Sequence, residues 1–263
     1  MNESITLDPL SYTSYYVESC FNETFLASGT CFFIKRKDST FLITNWHVVS
    51  GRNNESLEYL DKIHAAIPNN LKVHIFKNQE IVEREIFTIP ILDEEENPLW
   101  LEHPSFKEKV DVIAIKVDIP SNLYIVYVED AIEPYNEKTK ANIKDDVFVL
   151  GFPFGISEGE GFPIWKRASI ASEPKIDILG RPLIYIDTAS RSGMSGSPVI
   201  YKERRPMVIC DTEPSKATKI SQYYMEFVGV YSGRIGAEDE LKAQLGRVWK
   251  RQVIEDIIND SYC

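Results

Sequence analysis

A serine lies between two glycines in the second half of the chain, where residues 191–198 read Arg-Ser-Gly-Met-Ser-Gly-Ser-Pro. Flanking glycines permit positive φ angles and leave room for a carbonyl group to approach the hydroxyl of Ser195. Such a turn is typical of an exposed serine nucleophile, and the backbone N–H groups of Gly193 and Ser195 are then candidates for an oxyanion hole. An ordinary surface turn, in which Gly, Ser and Pro are also common, is the competing interpretation.

A serine hydroxyl is a weak nucleophile at neutral pH, so it needs a base within hydrogen-bond reach and a third group that orients the base. Of the four histidines, His47 follows the apolar run at residues 41–43 and a polar turn, which predicts an imidazole at the end of a strand. His64, His74 and His103 lie in polar or loop-like segments and are predicted to be structural. His47 is therefore the predicted general base.

Asp111 opens the apolar, β-branched run at residues 112–117, which is typical of a buried strand. A carboxylate at that position needs a partner, and an imidazole N–H is a suitable one. Asp187 has a similar apolar context and is the rival candidate for the acid. The order base, acid, nucleophile along the chain favours Asp111. An α/β-hydrolase is excluded, because it needs a histidine after the serine and none follows His103.

With these residues in place, the chain resembles the trypsin-like peptidases of the chymotrypsin-fold superfamily, nearer to their bacterial intracellular and HtrA-like branches than to the digestive enzymes. Three further segments carry the resemblance. Residues 28–34 are similar to the Gly-rich strand before the histidine, and residues 149–155 are similar to the Gly-x-Pro-x-Gly turn. Residues 227–234 are similar to the strand beside the specificity pocket. The resemblance implies an all-β fold of two six-stranded antiparallel β-barrels with a C-terminal α-helix.

The same resemblance implies a substrate site. Ser232 and Gly233 would pair through their backbone with an extended substrate. Ala189, six residues before the nucleophile, would form the pocket floor, with Ser190 beside it. An uncharged floor implies a small or apolar side chain before the scissile bond rather than Arg or Lys. Tyr231 is expected where many relatives carry a serine that supports the catalytic aspartate.

Many short apolar runs separated by turn residues independently favour barrels or sandwiches. The polar, Pro-containing segment 129–146 is the predicted linker between two barrels, and an apolar stripe at helical spacing over residues 245–257 predicts the helix. Residues 1–263 are therefore interpreted as a single peptidase domain. Its three consecutive parts are a first barrel at residues 1–130, a second barrel at residues 131–245 and a closing helix at residues 246–260.

The formal net charge of −11 argues against nucleic acid as a partner, because phosphate contacts need clustered Lys and Arg. The amino terminus lacks the basic and apolar regions of a signal peptide, and no apolar run is long enough to span a bilayer, so no membrane partner is expected. The cysteines show no metal-ligand spacing and are expected to be reduced thiols in a cytoplasmic protein without a cofactor or metal. They are Cys20, Cys31, Cys210 and Cys263.

The leading hypothesis is a serine endopeptidase acting on a protein or peptide substrate through an acyl-enzyme intermediate. In this hypothesis His47 takes the proton of Ser195, Asp111 holds the imidazole, and the amides of Gly193 and Ser195 bind the oxyanion. The first alternative is a protease-fold interaction protein that stays latent until a regulatory partner binds, or never assembles the triad. The second alternative is a general esterase with the same triad.

Overall fold

The structure is a computed structural model that describes residues 7–62, 65–78, 83–132, 140–155, 161–189, 192–209, 218–234 and 245–260. Within these ranges the strands are β1 (Ser14–Phe21), β2 (Thr24–Arg36), β3 (Ser39–Thr44), β4 (Asn70–Phe76), β5 (Arg84–Pro90), β6 (Ile113–Val117), β7 (Asp146–Gly151), β8 (Ile164–Ile170), β9 (Leu183–Asp187), β10 (Pro198–Ile209), β11 (Thr218–Arg234) and β12 (Leu245–Lys250). The α-helices are α1 (Trp46–Ser50), α2 (Val128–Ile132) and α3 (Gln252–Asp260). Single 3₁₀ turns cover Pro9–Tyr12, Lys107–Lys109 and Pro153–Gly155.

The strands form two six-stranded antiparallel units. The first is a sheet in the order β5-β4-β1-β2-β3-β6, and the second is a closed barrel in the order β10-β11-β12-β9-β8-β7. The predicted all-β architecture with a C-terminal helix is therefore confirmed. It differs in one respect, because the first unit is a sheet with β5 and β6 at its edges rather than a closed barrel.

Strand β2 connects the two hydrophobic cores, because successive side chains on a strand point to opposite faces. Phe33 packs edge-to-face on Tyr15 in the core of the first sheet, with ring centroids 4.9 Å apart. Its neighbour Phe32 packs edge-to-face on Phe227 of the second barrel, with centroids 5.4 Å apart. The two units thus share a buried apolar interface, and the segments that carry the predicted site residues end beside it.

Ion pairs connect the C-terminal helix to the first unit and to α2. Arg36 on β2 forms ion pairs with Glu129 of α2 and Glu255 of α3, and Arg251 also pairs with Glu129. No helix in the described part of the chain has the length and apolar character needed to cross a bilayer.

Three predicted boundaries differ from the structure. The apolar run around His47 leaves the sheet after Thr44 and turns into α1. Residues 246–250, predicted to be helical, belong to β12, where they are paired on both sides by β9 and β11, and α3 begins only at Gln252. The predicted linker 129–146 begins inside α2, and its residues 133–139 lie outside the described residues.

Candidate active site

His47 and Asp111 are in direct contact. His47 lies in the first turn of α1, and its Nδ1 is 2.7 Å from Oδ2 of Asp111, while its backbone N–H donates to Oδ1 at 2.9 Å. The Asp111 side chain is 2% exposed and the imidazole 21% exposed. A carboxylate only accepts hydrogen bonds, so Nδ1 carries a proton, and in the neutral imidazole Nε2 is then the acceptor on the opposite side of the ring.

Two further groups hold Asp111 in place. The side-chain amide of Asn45 donates to the backbone carbonyl of Asp111 at 2.6 Å. The hydroxyl of Ser232, on β11 in the second unit, donates to Oδ2 at 2.6 Å. The carboxylate therefore accepts three hydrogen bonds, from residues that belong to both units, and its orientation depends on how the units pack.

The expectation that Tyr231 would replace the serine supporting this aspartate is wrong, because Ser232 performs that role. Tyr231 packs in the core of the second barrel, and its successor on the strand points the other way, towards Asp111. A shift of one residue along a strand exchanges the two faces, so a prediction that is wrong by one position places the wrong side chain beside Asp111.

The turn that carries the predicted nucleophile joins β9 to β10. The carbonyl oxygen of Ser195 accepts a hydrogen bond from the N–H of Thr30 on β2 at 2.8 Å, and the N–H of Gly196 donates to the Tyr231 carbonyl at 2.9 Å. Gly196 has φ +85°, and a Cβ there would lie 2.0 Å from the Thr30 carbonyl oxygen. Only glycine fits this close approach between the turn and β2.

The same turn lies beside the helix that carries the imidazole. A methyl group at Gly29 would be 3.2 Å from Val48 Cγ2 and 3.3 Å from the carbonyl oxygen of Ser195. Val48 follows His47 in α1, and Ser195 is half-buried. The serine turn and the helix that carries His47 therefore both lie against Gly29 of β2.

The peptide between Ser192 and Gly193 is held in one orientation. The Ser192 carbonyl accepts a hydrogen bond from the N–H of Phe154 at 2.7 Å. The Gly193 carbonyl accepts one from Thr30 Oγ1 at 2.9 Å. The C=O and N–H groups of a trans peptide point in opposite directions, so the Gly193 N–H is turned away from Phe154. Gly193 has φ +92°, and a Cβ there would lie 2.2 Å from the carbonyl oxygen of Phe152.

Phe154 is one of nine described non-glycine residues with a positive φ angle. It has φ +54°, a left-handed conformation that costs a bulky residue about 1–2 kcal/mol, and its side chain is 63% exposed. Strained backbone of this kind is concentrated at functional sites, where the surrounding contacts maintain it. Here the strained residue supplies the N–H that holds the candidate oxyanion peptide.

The other histidines and the rival acid lie elsewhere. Asp187 is exposed on β9. His103 accepts hydrogen bonds at Nδ1 from the N–H groups of Ser105 and Phe106, at 3.2 and 3.3 Å, and its Nε2 is 3.6 Å from Asp256 on α3.

The imidazole of His74 pairs with Glu18, with His74 Nε2 3.5 Å from the Glu18 carboxylate. Burial lowers the pKa of both His74 and His103 below the ordinary value, although the carboxylate beside each opposes that effect. Both contacts agree with structural roles. His64 lies outside the described residues.

Three of the four predicted substrate-binding residues lie in the described ranges. Ala189 is half-buried just after β9, and Ser190 lies outside the described residues. The register of β11 against β12 shifts between Tyr231 and Arg234, the stretch that contains Ser232 and Gly233. Gly233 has φ +83° and nothing within 4 Å of a would-be Cβ. Backbone at this point is therefore accessible from outside the barrel.

Sequence reasoning missed three residues of the site. Thr30 and Phe154 act on the serine turn through long-range hydrogen bonds, and Asn45 acts on the backbone of Asp111. Thr30 and Phe154 lie in the two Gly-containing segments already singled out, which was the available signal. Asn45 has no comparable signal, because its type is common at any helix start.

In the described ranges, no group of three or more His, Cys, Asp or Glu side chains is arranged to hold a metal ion. Comparison with known proteins gives a family-model match over residues 29–207, more than half of the chain, and the model is described as "Trypsin-like peptidase domain". Comparison with curated proteins gives no match.

Two solved structures are similar to this one. A serine endoprotease from Yersinia pestis is 14% identical with a TM-score of 0.52, over 98% of this chain and 69% of that one. Rv3671c from M. tuberculosis, in an inactive form, is 19% identical with a TM-score of 0.49, over 96% of this chain and 90% of that one. At these identities the likeness concerns the fold alone.

Proposed function

Since this chain belongs to the trypsin-like peptidase family, as predicted, we propose that it is a serine endopeptidase with His47, Asp111 and Ser195 as its triad. The observation that carries the proposal is the imidazole of His47, which is held by the buried carboxylate of Asp111 at 2.7 Å and lies beside the turn that carries Ser195. Activation of a serine hydroxyl requires an oriented imidazole whose Nε2 can take the proton.

The proposed reaction proceeds in two halves. The Ser195 hydroxyl attacks the scissile carbonyl while Nε2 of His47 takes its proton, and Asp111 stabilises the imidazolium that forms. The imidazolium then gives the proton to the leaving amine, which departs and leaves an acyl group on Ser195. A water molecule attacks this ester with His47 again as base, and the carboxylic acid product leaves Ser195 protonated as before.

The oxyanion formed in each half would be bound by the N–H groups of Gly193 and Ser195. The hydrogen bond from Phe154 to the Ser192 carbonyl supports this assignment, because it turns the Gly193 N–H away from the 152–155 turn. A hole that is held by contacts within the chain favours activity without a partner over the latent alternative. The substrate backbone on the acyl side would pair with Ser232 and Gly233.

A cytoplasmic location is part of the proposal. Cys20 and Cys31 are buried free thiols, and burial raises the pKa of both. Thiols of this kind are inert and are typical of proteins in reducing compartments. Cys210 and Cys263 lie outside the described residues.

The test is labelling of the purified chain with a fluorophosphonate, which phosphonylates only an activated serine. We expect labelling of the wild type, none of Ser195→Ala and a large loss in His47→Ala. The matched control is Ser197→Ala, which removes a buried hydroxyl two residues further along the same turn and should label normally. Unchanged labelling of Ser195→Ala would refute the proposal.

Two further outcomes separate the alternatives. A wild type that does not label by itself, but labels in the presence of a partner, would favour the latent protein. A wild type that labels and cleaves a p-nitrophenyl ester, yet cleaves no bond in denatured casein, would favour the esterase. Peptide cleavage that is lost in Ser195→Ala supports the endopeptidase over both.

A further inference from the structure

A glycine leaves a gap in the wall of the second barrel. Gly246 on β12 pairs with Ile186 of β9, and Val248, two residues along, pairs with Ile184. Residues two apart on a strand share a face, so Gly246 and Val248 both face the barrel interior with these isoleucines. Gly246 has no side chain, so its layer of the core must be filled from another strand.

The ring of Tyr231 fills that layer. Tyr231 lies directly opposite Val248 in the register of β11 and β12, but its ring reaches one layer further. A Cβ at Gly246 would lie 2.6 Å from Tyr231 Cε2, 3.0 Å from Thr188 Cγ2 and 3.2 Å from Ile186 Cγ1. Tyr231 is 1% exposed and belongs to the barrel core.

The filled layer adjoins the proposed substrate site. Gly246 pairs with Arg234, which follows Ser232 and Gly233 at the end of β11. Val248 pairs with Tyr231, which precedes them, so Gly246 is the nearer of the two to the end of the barrel. Thr188, which also contacts the gap, directly precedes Ala189. A side chain that enters the barrel mouth between the end of β9 and the end of β11 would therefore meet the Tyr231 ring.

We propose that Tyr231 is the specificity-determining residue of this enzyme, closing the pocket so that only Gly, Ala or Ser is accepted before the scissile bond. The inference rests on the proposed function and goes further, because an uncharged Ala189 alone would equally allow a large apolar side chain. A buried ring in the pocket excludes Leu, Phe, Lys and Arg by volume, since a packed core tolerates little extra volume.

The experiment uses two diphenyl aminoalkylphosphonates, with the side chain of Ala or of Phe. Each bonds its phosphorus to the active serine oxygen with loss of phenol, which takes up the serine proton, and each presents its side chain to the pocket. The measured quantity is the ratio of the two inactivation rate constants within one preparation, which does not depend on the fraction of active protein. Fluorophosphonate, which carries no such side chain, is the reference probe.

For the wild type we expect the Ala probe to react about 10-fold to 200-fold faster, or more, since one methylene in a pocket already discriminates to that extent. Tyr231→Val should lower this ratio at least about tenfold, and Tyr231→Phe, which keeps the ring, should leave it unchanged. The matched control is Tyr201→Val, which removes another buried tyrosine from the same core and should also leave it unchanged.

The inference is overturned if the wild type labels with fluorophosphonate but prefers the Phe probe, or if the ratio in Tyr231→Val equals that of the wild type. If Tyr231→Val fails to fold, Tyr231→Leu, which keeps more apolar volume, replaces it, and its ratio of rate constants is compared with that of the wild type in the same way. A wild type that labels with none of the three probes refutes the proposed function itself, so the two failures are distinguishable.

Discussion

The replacement of Gly193 by alanine tests the candidate oxyanion hole most directly. Gly193 has φ +92°, and a Cβ there would lie 2.2 Å from the carbonyl oxygen of Phe152 and 3.0 Å from the nitrogen of Phe154. Both neighbours are backbone atoms and cannot rotate away. The turn must therefore move, and the Gly193 N–H moves with it.

The expected magnitude follows from two contributions. The left-handed conformation costs alanine about 1–2 kcal/mol of stability, and the close contact adds to that cost. Loss of one oxyanion donor removes about 2.7–4 kcal/mol of transition-state stabilisation, so kcat should fall about 10²- to 10³-fold. KM should change little, because the oxyanion exists only in the transition state and intermediate.

The assay is steady-state cleavage of one peptide substrate together with urea unfolding of each variant. Gly180→Ala is the matched control, since Gly180 has φ +70° and nothing within 4 Å of a would-be Cβ. It carries the conformational cost without the clash, so its kcat should stay at the wild-type value. A kcat near wild type in Gly193→Ala would refute the assignment of this N–H.

Three other changes probe the surroundings of the site. Ser232→Ala removes a hydrogen bond to the buried carboxylate of Asp111, so urea unfolding should show a loss of about 1.5–3 kcal/mol, and an unchanged midpoint would contradict the role of that bond. Arg36→Met removes one of the two arginines beside the carboxylates of Glu129 and Glu255 and leaves only Arg251 to pair with them. It should cost about 1–3 kcal/mol of stability without slowing fluorophosphonate labelling, and slower labelling would show that these ion pairs also shape the site. Burial lowers the pKa of His103, so the unfolded chain binds the proton first and stability falls as the pH drops below the ordinary histidine value of 6.5. In His103→Asn the free energy of unfolding should decrease less than in the wild type between about pH 7.5 and pH 5.5. Equal decreases in the two proteins would contradict this prediction.

Much of the candidate site was predictable from local signals. A serine between glycines indicates a tight turn, a histidine after an apolar strand indicates a strand end, and an aspartate before a β-branched run indicates a buried carboxylate. Each inference uses only residue chemistry and a few neighbours, so it does not depend on the rest of the fold. The short apolar runs predicted the all-β class for the same reason.

Element boundaries were less predictable where two periodicities overlap. Residues 245–250 carry apolar side chains that suit both a helical stripe and a strand, and pairing with β9 and β11 decides for the strand. The apolar run and polar turn before His47 indicate a strand end, yet α1 begins at Trp46 once the chain leaves the sheet. For residues 245–250, hydrogen bonds to partner strands decide the outcome, and one of those strands, β9, lies far away in the sequence.

By itself, the sequence determined the family, the all-β class and the residue types available for catalysis, because those depend on composition, order and local pattern. Only the tertiary structure decided that Ser232 rather than Tyr231 faces Asp111, 121 residues away, and that Phe154 holds the Ser192 carbonyl. Side chains on a strand alternate between faces, so a register error of one residue sends each to the opposite side. That register is set by pairing between distant strands, which no local pattern encodes.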